Sequence, residues 1–184
     1  SNGSLIMAND LIATKIDDIQ KEADTINPDY LIVDTPGQIE LFAYRQSGPF
    51  FVQNFEAEEK MNLFLFDGTM VSTPSNFVSL MLLSTSIRLR LGLPTVNVIT
   101  KTDLIEEKLQ QVLSWSGTDS KLEADLAGEV NGDTFSLVSD MLTSINRNDF
   151  QQDLIPVSNA TGDGMVNLQS ALSRTINLGE EIED

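Results

Sequence analysis

Tyr30-Leu31-Ile32-Val33-Asp34-Thr35-Pro36-Gly37-Gln38-Ile39-Glu40-Leu41 is a run of four apolar residues closing on an aspartate and a Thr-Pro-Gly turn. A continuous, non-alternating apolar run of this length predicts a strand covered on both faces, the pattern of a parallel sheet between helices. Ending it with Asp34 puts a carboxylate at the carboxyl edge of the sheet, where doubly wound folds bind their ligands. Such an Asp can hold a Mg²⁺ water. Gly37 can bring a backbone N–H close to a phosphate, and Gln38 and Glu40 can orient an attacking water. Taken alone, the stretch reads equally well as an ordinary Asp/Pro/Gly turn.

A second strand end changes the balance. Thr95-Val96-Asn97-Val98-Ile99 is another apolar run and leads into Thr100-Lys101-Thr102-Asp103. An ionised Asp103 can accept two hydrogen bonds from the N1–H and N2–H₂ edge of guanine, an edge adenine does not present. Binding through paired polar contacts discriminates strongly, because the wrong base leaves buried groups unsatisfied. The Lys101 stem can lie along the base ring. The bland alternative makes Asp103 the cap of a following helix. A fourth strand, Leu154 to Val157, is followed by Ser158-Asn159-Ala160-Thr161-Gly162, in the place of a second base-side loop.

Between these motifs the chain alternates strand and helix. Residues 4–23 read as an amphipathic helix and 46–58 as a short polar one; Met61 to Phe66 reads as a buried strand ending at Asp67-Gly68. Ser72, Thr73 or Ser75 can cap a long helix from Pro74 to Leu91, apolar nearly all round and so either buried or pressed against another subunit. Gly92-Leu93-Pro94 stops it. Two or three helices are expected over 104–150 and a closing helix over 165–178. The predicted fold class is α/β, a mainly parallel sheet with helices on both faces, in one domain spanning 1–184 with a helical insertion at about 104–150.

Composition narrows the chemistry. Of 184 residues 41% are hydrophobic, ordinary for a globular protein, and the net charge is −17, which argues against a nucleic-acid surface. Cysteine and histidine are both absent. Thiolate chemistry, imidazole bases and the usual transition-metal ligands are therefore excluded, leaving carboxylates, amides, hydroxyls and hard cations such as Mg²⁺. No apolar run approaches the roughly 18 residues that span a bilayer, and the first residues have no basic region. A cytoplasmic chain with no membrane partner is expected.

The stretch YLIVDTPGQIELFAY (30–44), with RLRLGLPTVNVITKTD (88–103) and the loop from Pro156 to Gly164, resembles the GPN-loop GTPases, relatives of the nickel-insertion and signal-recognition GTPases. The resemblance covers nearly the whole chain, residues 104–150 being the least diagnostic. It implies a P-loop NTPase-like fold, GTP or GDP with Mg²⁺ as cofactors, and a homodimer through helix 74–91 and the amino-terminal helix. It also implies an assembly-factor role; the protein client is unknown. By position it assigns Asp34 to Mg²⁺, Gly37 to the γ-phosphate, and Gln38 and Glu40 to water. Thr100, Lys101, Asp103, Ser158 and Asn159 go to the base, and Asn2 to a contact across the dimer, although Ser1 stands where the family has Pro.

One element of the pattern is missing. The sequence contains no G-x-x-x-x-G-K-[ST], so the phosphate-cradling loop and the strand before it are not in these residues. Negligible hydrolysis by this chain alone is expected, as the carboxyl-terminal part of a longer GTPase. The alternative, from another class, is a non-catalytic interaction module that keeps the scaffold. A metal-insertion role fits poorly without His or Cys.

Overall fold

The computed structural model describes residues 15–35, 39–116, 121–147 and 154–180. They fall into two compact units, Ser1–Lys60 with Leu89–Gly92, and Met61–Arg88 with Leu93–Asp184.

In the first unit a helix, α1, covers 15–26, followed by the short helices α2 (Ile39–Ala43) and α3 (Ser47–Asn54). Gln20 ties α1 to the chain after α3. Its side chain donates to the Glu56 carbonyl at 3.2 Å and accepts from the Glu56 N–H at 2.9 Å. The Arg90 guanidinium donates to the carbonyls of Ala43 and Tyr44 and lies over the Tyr44 ring.

The expected strand at 30–33 is corrected here. Residues 30–35 have no strand structure, and Tyr30, Leu31, Ile32 and Val33 are exposed, Ile32 at 87%. An apolar run becomes a buried strand only with neighbours for its N–H and C=O groups and cover for its faces. No such neighbour exists for it among the described residues.

The second unit carries a parallel three-stranded sheet in the order β1 (Asn62–Asp67), β2 (Thr95–Thr100), β3 (Leu154–Pro156). Five of the six β2 residues are buried, the pattern of a strand covered on both faces. In-register pairing sets Phe64 beside Asn97 and Phe66 beside Ile99. On that face lies α4 (Pro74–Leu91): Ser84 donates a 2.6 Å hydrogen bond to Asn97 Oδ1 within the core, so the buried Asn97 amide oxygen is satisfied. Phe77 of α4 stacks against Phe66 and Trp115. On the opposite face Val96, Val98, Ile155 and Val157 pack with Ala171 of α8 (Met165–Glu180), flanked by Leu168 and Leu172. Helices therefore cover both faces of the centre of this sheet.

The reading of 61–66 as a fully buried strand also needs correction. β1 alternates: Phe64 and Phe66 are buried while Leu63 and Leu65 are exposed. The pairing places Leu63 and Leu65 on the α8 side, and α8 covers only β2 and β3.

Thr73 is the cap of α4. Its Oγ1 accepts from the Asn76 N–H, and its carbonyl accepts the first helical bond, from Phe77. Ser75 presents both its N–H and its hydroxyl to the Glu129 carboxylate, each at 2.9 Å. The N–H bond foremost holds the Glu129 pKa below its ordinary value. Three helices follow β2: α5 (Glu106–Ser116), α6 (Leu122–Ala127) and α7 (Gly132–Arg147). Trp115 on α5 donates its indole N–H to Asp125 on α6 at 2.8 Å.

A candidate base-binding site at the ends of three strands

Parallel pairing brings the carboxyl ends of β1, β2 and β3 to one border of the sheet, and each leads into a polar loop. Thr100 ends β2, and its hydroxyl donates to the Phe66 carbonyl of β1 at 3.1 Å, locking the two strand ends in register. The chain then turns sharply. Lys101 has φ 57° and ψ 37°, the left-handed region, which a β-carbon makes unfavourable and which glycine or asparagine fills more readily. Among the described residues only Asn27 shares a positive φ without being glycine. The turn lets the buried Thr102 donate its N–H to the Val157 carbonyl, tying the β2 loop to the end of β3.

Asp103 sits in the following 3-10 turn (Thr102–Leu104), half-buried, and its Oδ1 accepts the Ser158 hydroxyl proton at 2.5 Å. Ser158 is almost completely buried, at 1% exposure. Its Oγ also accepts from the Thr161 N–H, and its own N–H donates to the Asp163 carbonyl. The Thr161 hydroxyl in turn donates to the Asp163 carboxylate at 2.7 Å. The loop after β3 is thus a closed hydrogen-bonded turn whose one buried hydroxyl points at Asp103. Oδ2 of Asp103 and the second lone pair of Oδ1 remain as acceptors, the donor-seeking edge that a guanine N1–H and N2–H₂ would meet. The turn ends at Gly164, where a β-carbon would fall 1.8 Å from the Pro156 carbonyl oxygen.

The strand-end carboxylate of β1, Asp67, is a polar centre that the sequence reading passed over. Its Oδ1 accepts from both the N–H and the hydroxyl of Thr69, at 2.9 and 2.7 Å, and its Oδ2 pairs with Lys101 Nζ at 2.6 Å. The Lys101 ammonium, followed by the Thr69 hydroxyl and N–H, lowers the Asp67 pKa to about 2. Asp67-Gly68 repeats the pattern of Asp34 at a strand end, and that repetition was the available signal. Gly68 is required by close approach, since a β-carbon there would meet the Thr100 carbonyl at 2.6 Å. Gly68, Thr69, Asp103 and the start of α5 line an open cleft of about 480 Å³.

The depressed Asp67 pKa fixes the sign of a pH effect. The pair stabilises the fold above the unfolded-state value near 3.8, and the contribution is lost as pH falls toward about 2. Lys101 is 55% exposed and Asp67 29%, so solvent screening limits the pair to about 1 kcal/mol or less. Asp67→Asn is expected to lower the urea midpoint slightly at pH 7 and by less at pH 2, where the carboxylate is about half protonated in the folded chain; equal losses at both would show that charge is not involved.

Of the other sequence-predicted residues, Asn159 is exposed on the β3 loop. Asp34 is exposed in the first unit, on the chain after α1. Glu40 lies in α2. Asn2, Gly37 and Gln38 lie outside the described residues. No group of three or more acidic side chains that could hold a metal ion occurs among the described residues, and none of their helices is long and apolar enough to cross a membrane.

The fold has a counterpart of known structure. It superposes with a TM-score of 0.74 on the apo form of a GTPase from Pyrococcus abyssi, covering 95% of this chain and 70% of that one at 21% identity, so the two share one α/β architecture. The model of the family described as conserved hypothetical ATP binding protein matches residues 1–178, and the chain belongs to that family. It is 32% identical to GPN-loop GTPase QQT2 of Arabidopsis thaliana over 171 residues, covering 89% of this chain and 43% of that protein. It is 27% identical to GPN-loop GTPase 1 of Saccharomyces cerevisiae over 187 residues, covering 95% and 48%. The chain spans less than half the length of these two relatives.

Proposed function

We propose that this chain is the carboxyl-terminal part of a GPN-loop GTPase and carries its guanine-recognition half. The observation that carries the reading is the bond between Asp103 and the buried Ser158 hydroxyl. That bond orients a carboxylate between two strand-end loops, with acceptors left for a purine edge. GTP and GDP are the ligands, with Lys101 along the ring and Thr100 holding the loop.

The phosphate end is proposed in outline. Asp34 is the carboxylate for Mg²⁺, an ion commonly held by one or two carboxylates together with phosphate oxygens and water. A single acidic side chain fits that demand. Bound Mg²⁺ would neutralise developing phosphate charge; Gly37, Gln38 and Glu40 would position the γ-phosphate and the attacking water, and Asn2 would reach a partner's site. The whole protein would act as a cytoplasmic homodimeric switch or assembly factor, with α4 and the amino-terminal helix at the dimer face. Two observations favour placing the phosphate loop in a preceding segment: residues 30–33 are exposed where a strand is expected, and Leu63 and Leu65 are uncovered on β1. The isolated chain would then hydrolyse GTP negligibly.

The reading is tested by thermal melting with millimolar GTP and Mg²⁺. A ligand of the native state raises the midpoint, so the chain should gain a few degrees and Asp103→Ala should gain none. An unshifted melting temperature for the unaltered chain would favour instead a non-catalytic interaction module, which the missing phosphate loop also suits.

A further inference from the structure

We propose that Asp67 is a positioning residue for the base site, holding Lys101 so that its stem forms one wall of the crevice beside Asp103. The proposal rests on the guanine-recognition reading above and adds to it a residue from a different strand.

Three observations converge on it. Lys101 occupies a left-handed backbone position that its side chain makes costly, so the lysine serves the site through that side chain and not through the turn. Although its side chain is half-exposed, its ammonium returns to Asp67 at 2.6 Å, across the β1–β2 pair whose last rung is Asp67 against Thr100. The Asp67 carboxylate is itself fixed: Thr69 occupies Oδ1 with two bonds and leaves Oδ2 for the lysine. A pair this exposed adds little to stability, yet five contacts of the two strand-end turns (the ion pair, both Thr69 bonds, the Thr100–Phe66 bond and the close approach at Gly68) define its geometry. Pinning the ammonium constrains the four-carbon stem between it and the backbone. Asp103 is two residues further along the same turn. The pairing also cancels the lysine charge locally, so the stem meets the base as apolar surface.

The 184-residue chain should be titrated with Mg·GDP and Mg·ADP and followed by NMR at the Lys101 and Asp103 amides and at the Lys101 Cε. Asp67→Asn keeps an oxygen for Thr69 and removes the charge. It is expected to weaken GDP about tenfold, to narrow the Lys101 Cε signal as the side chain becomes free, and to leave the melting temperature within a degree or two. Lys101→Ala should lose a similar factor, and the double variant no more than either single one. If Asp67→Asn does not fold, Lys101→Met, which keeps an unbranched stem without the charge, should show the same loss. GDP affinity within twofold of the unaltered chain in Asp67→Asn, or losses that multiply in the double variant, would overturn the positioning role. The base-site reading would survive that result provided Asp103→Ala abolishes binding. A chain that shows no GDP-dependent shift, or an Asp103→Ala variant that binds normally, overturns the base-site reading and the positioning role with it.

Discussion

Replacing Phe77 with aspartate is expected to unfold the Met61–Asp184 part of the chain, not to separate copies of it. Phe77 is 1% exposed, and its ring lies between Phe66 of β1 and Trp115 of α5, with centroids 6.4 and 5.6 Å away. Removing a buried phenylalanine costs about 3–5 kcal/mol, and an unpaired carboxylate in the same place costs several more. Domains of this size are stable by roughly 5–15 kcal/mol, so the two losses together consume most or all of the margin. Near-UV circular dichroism should collapse, with Trp115 fluorescence shifted toward that of solvent. A variant that keeps its native spectrum while halving its mass in light scattering would assign Phe77 to a contact between copies. Val78, Ser84 and Ile87 of α4 are buried as Phe77 is, whereas Leu80, Met81, Leu82 and Leu83 are half-buried and Leu89 is 69% exposed. A subunit contact would therefore have to use that part of the helix.

Gly164→Ala is expected to be the most damaging one-carbon change in the loop after β3. Its φ of +80° is strained for any L-residue, and the added carbon would fall 1.8 Å from the Pro156 carbonyl oxygen and 3.2 Å from the Val157 α-carbon. Both neighbours are backbone and cannot step aside as a side-chain tip would. Strain and overpacking together give about 2–5 kcal/mol. Relief would require moving the segment that carries Ser158, so the Asp103–Ser158 bond and any nucleotide response should fail together. Gly162 supplies the control. Its φ is +81°, but nothing lies within 4 Å of an added β-carbon, so Gly162→Ala should incur only the conformational cost, about 1 kcal/mol. Equal urea midpoints for the two variants would refute the steric account.

How much of this was legible in the sequence differs from element to element. β2 was, because Val96, Val98 and Ile99 are β-branched residues that suit a strand flanked on all sides, and it is flanked. The same pattern misled at 30–33. Apolar run length reports a tendency to be buried but does not supply the neighbours that do the burying, and those are non-local. β1 shows an intermediate outcome, with one face covered by α4 and the other not.

At the site, spacing placed Lys101 and Asp103 on one turn and Ser158 on the next loop, but it could not show that the Asp103 carboxylate turns to Ser158. The helix-cap alternative was equally compatible with the sequence. Asp67 repeats the expected strand-end pattern of Asp34, but its pairing with Lys101 shows only once the register sets it beside Thr100.

The edge position of β1 among the described strands has a practical consequence for handling the protein. Among the described residues β1 pairs with no strand on the side away from β2, and Leu63 and Leu65 are exposed on it, a template for stacking of one molecule on another. What opposes such stacking is Coulomb repulsion between polyanions of charge −17. Turbidity should therefore rise as buffers approach the isoelectric point near 4.1, and with added salt once the Debye length contracts to a few ångströms.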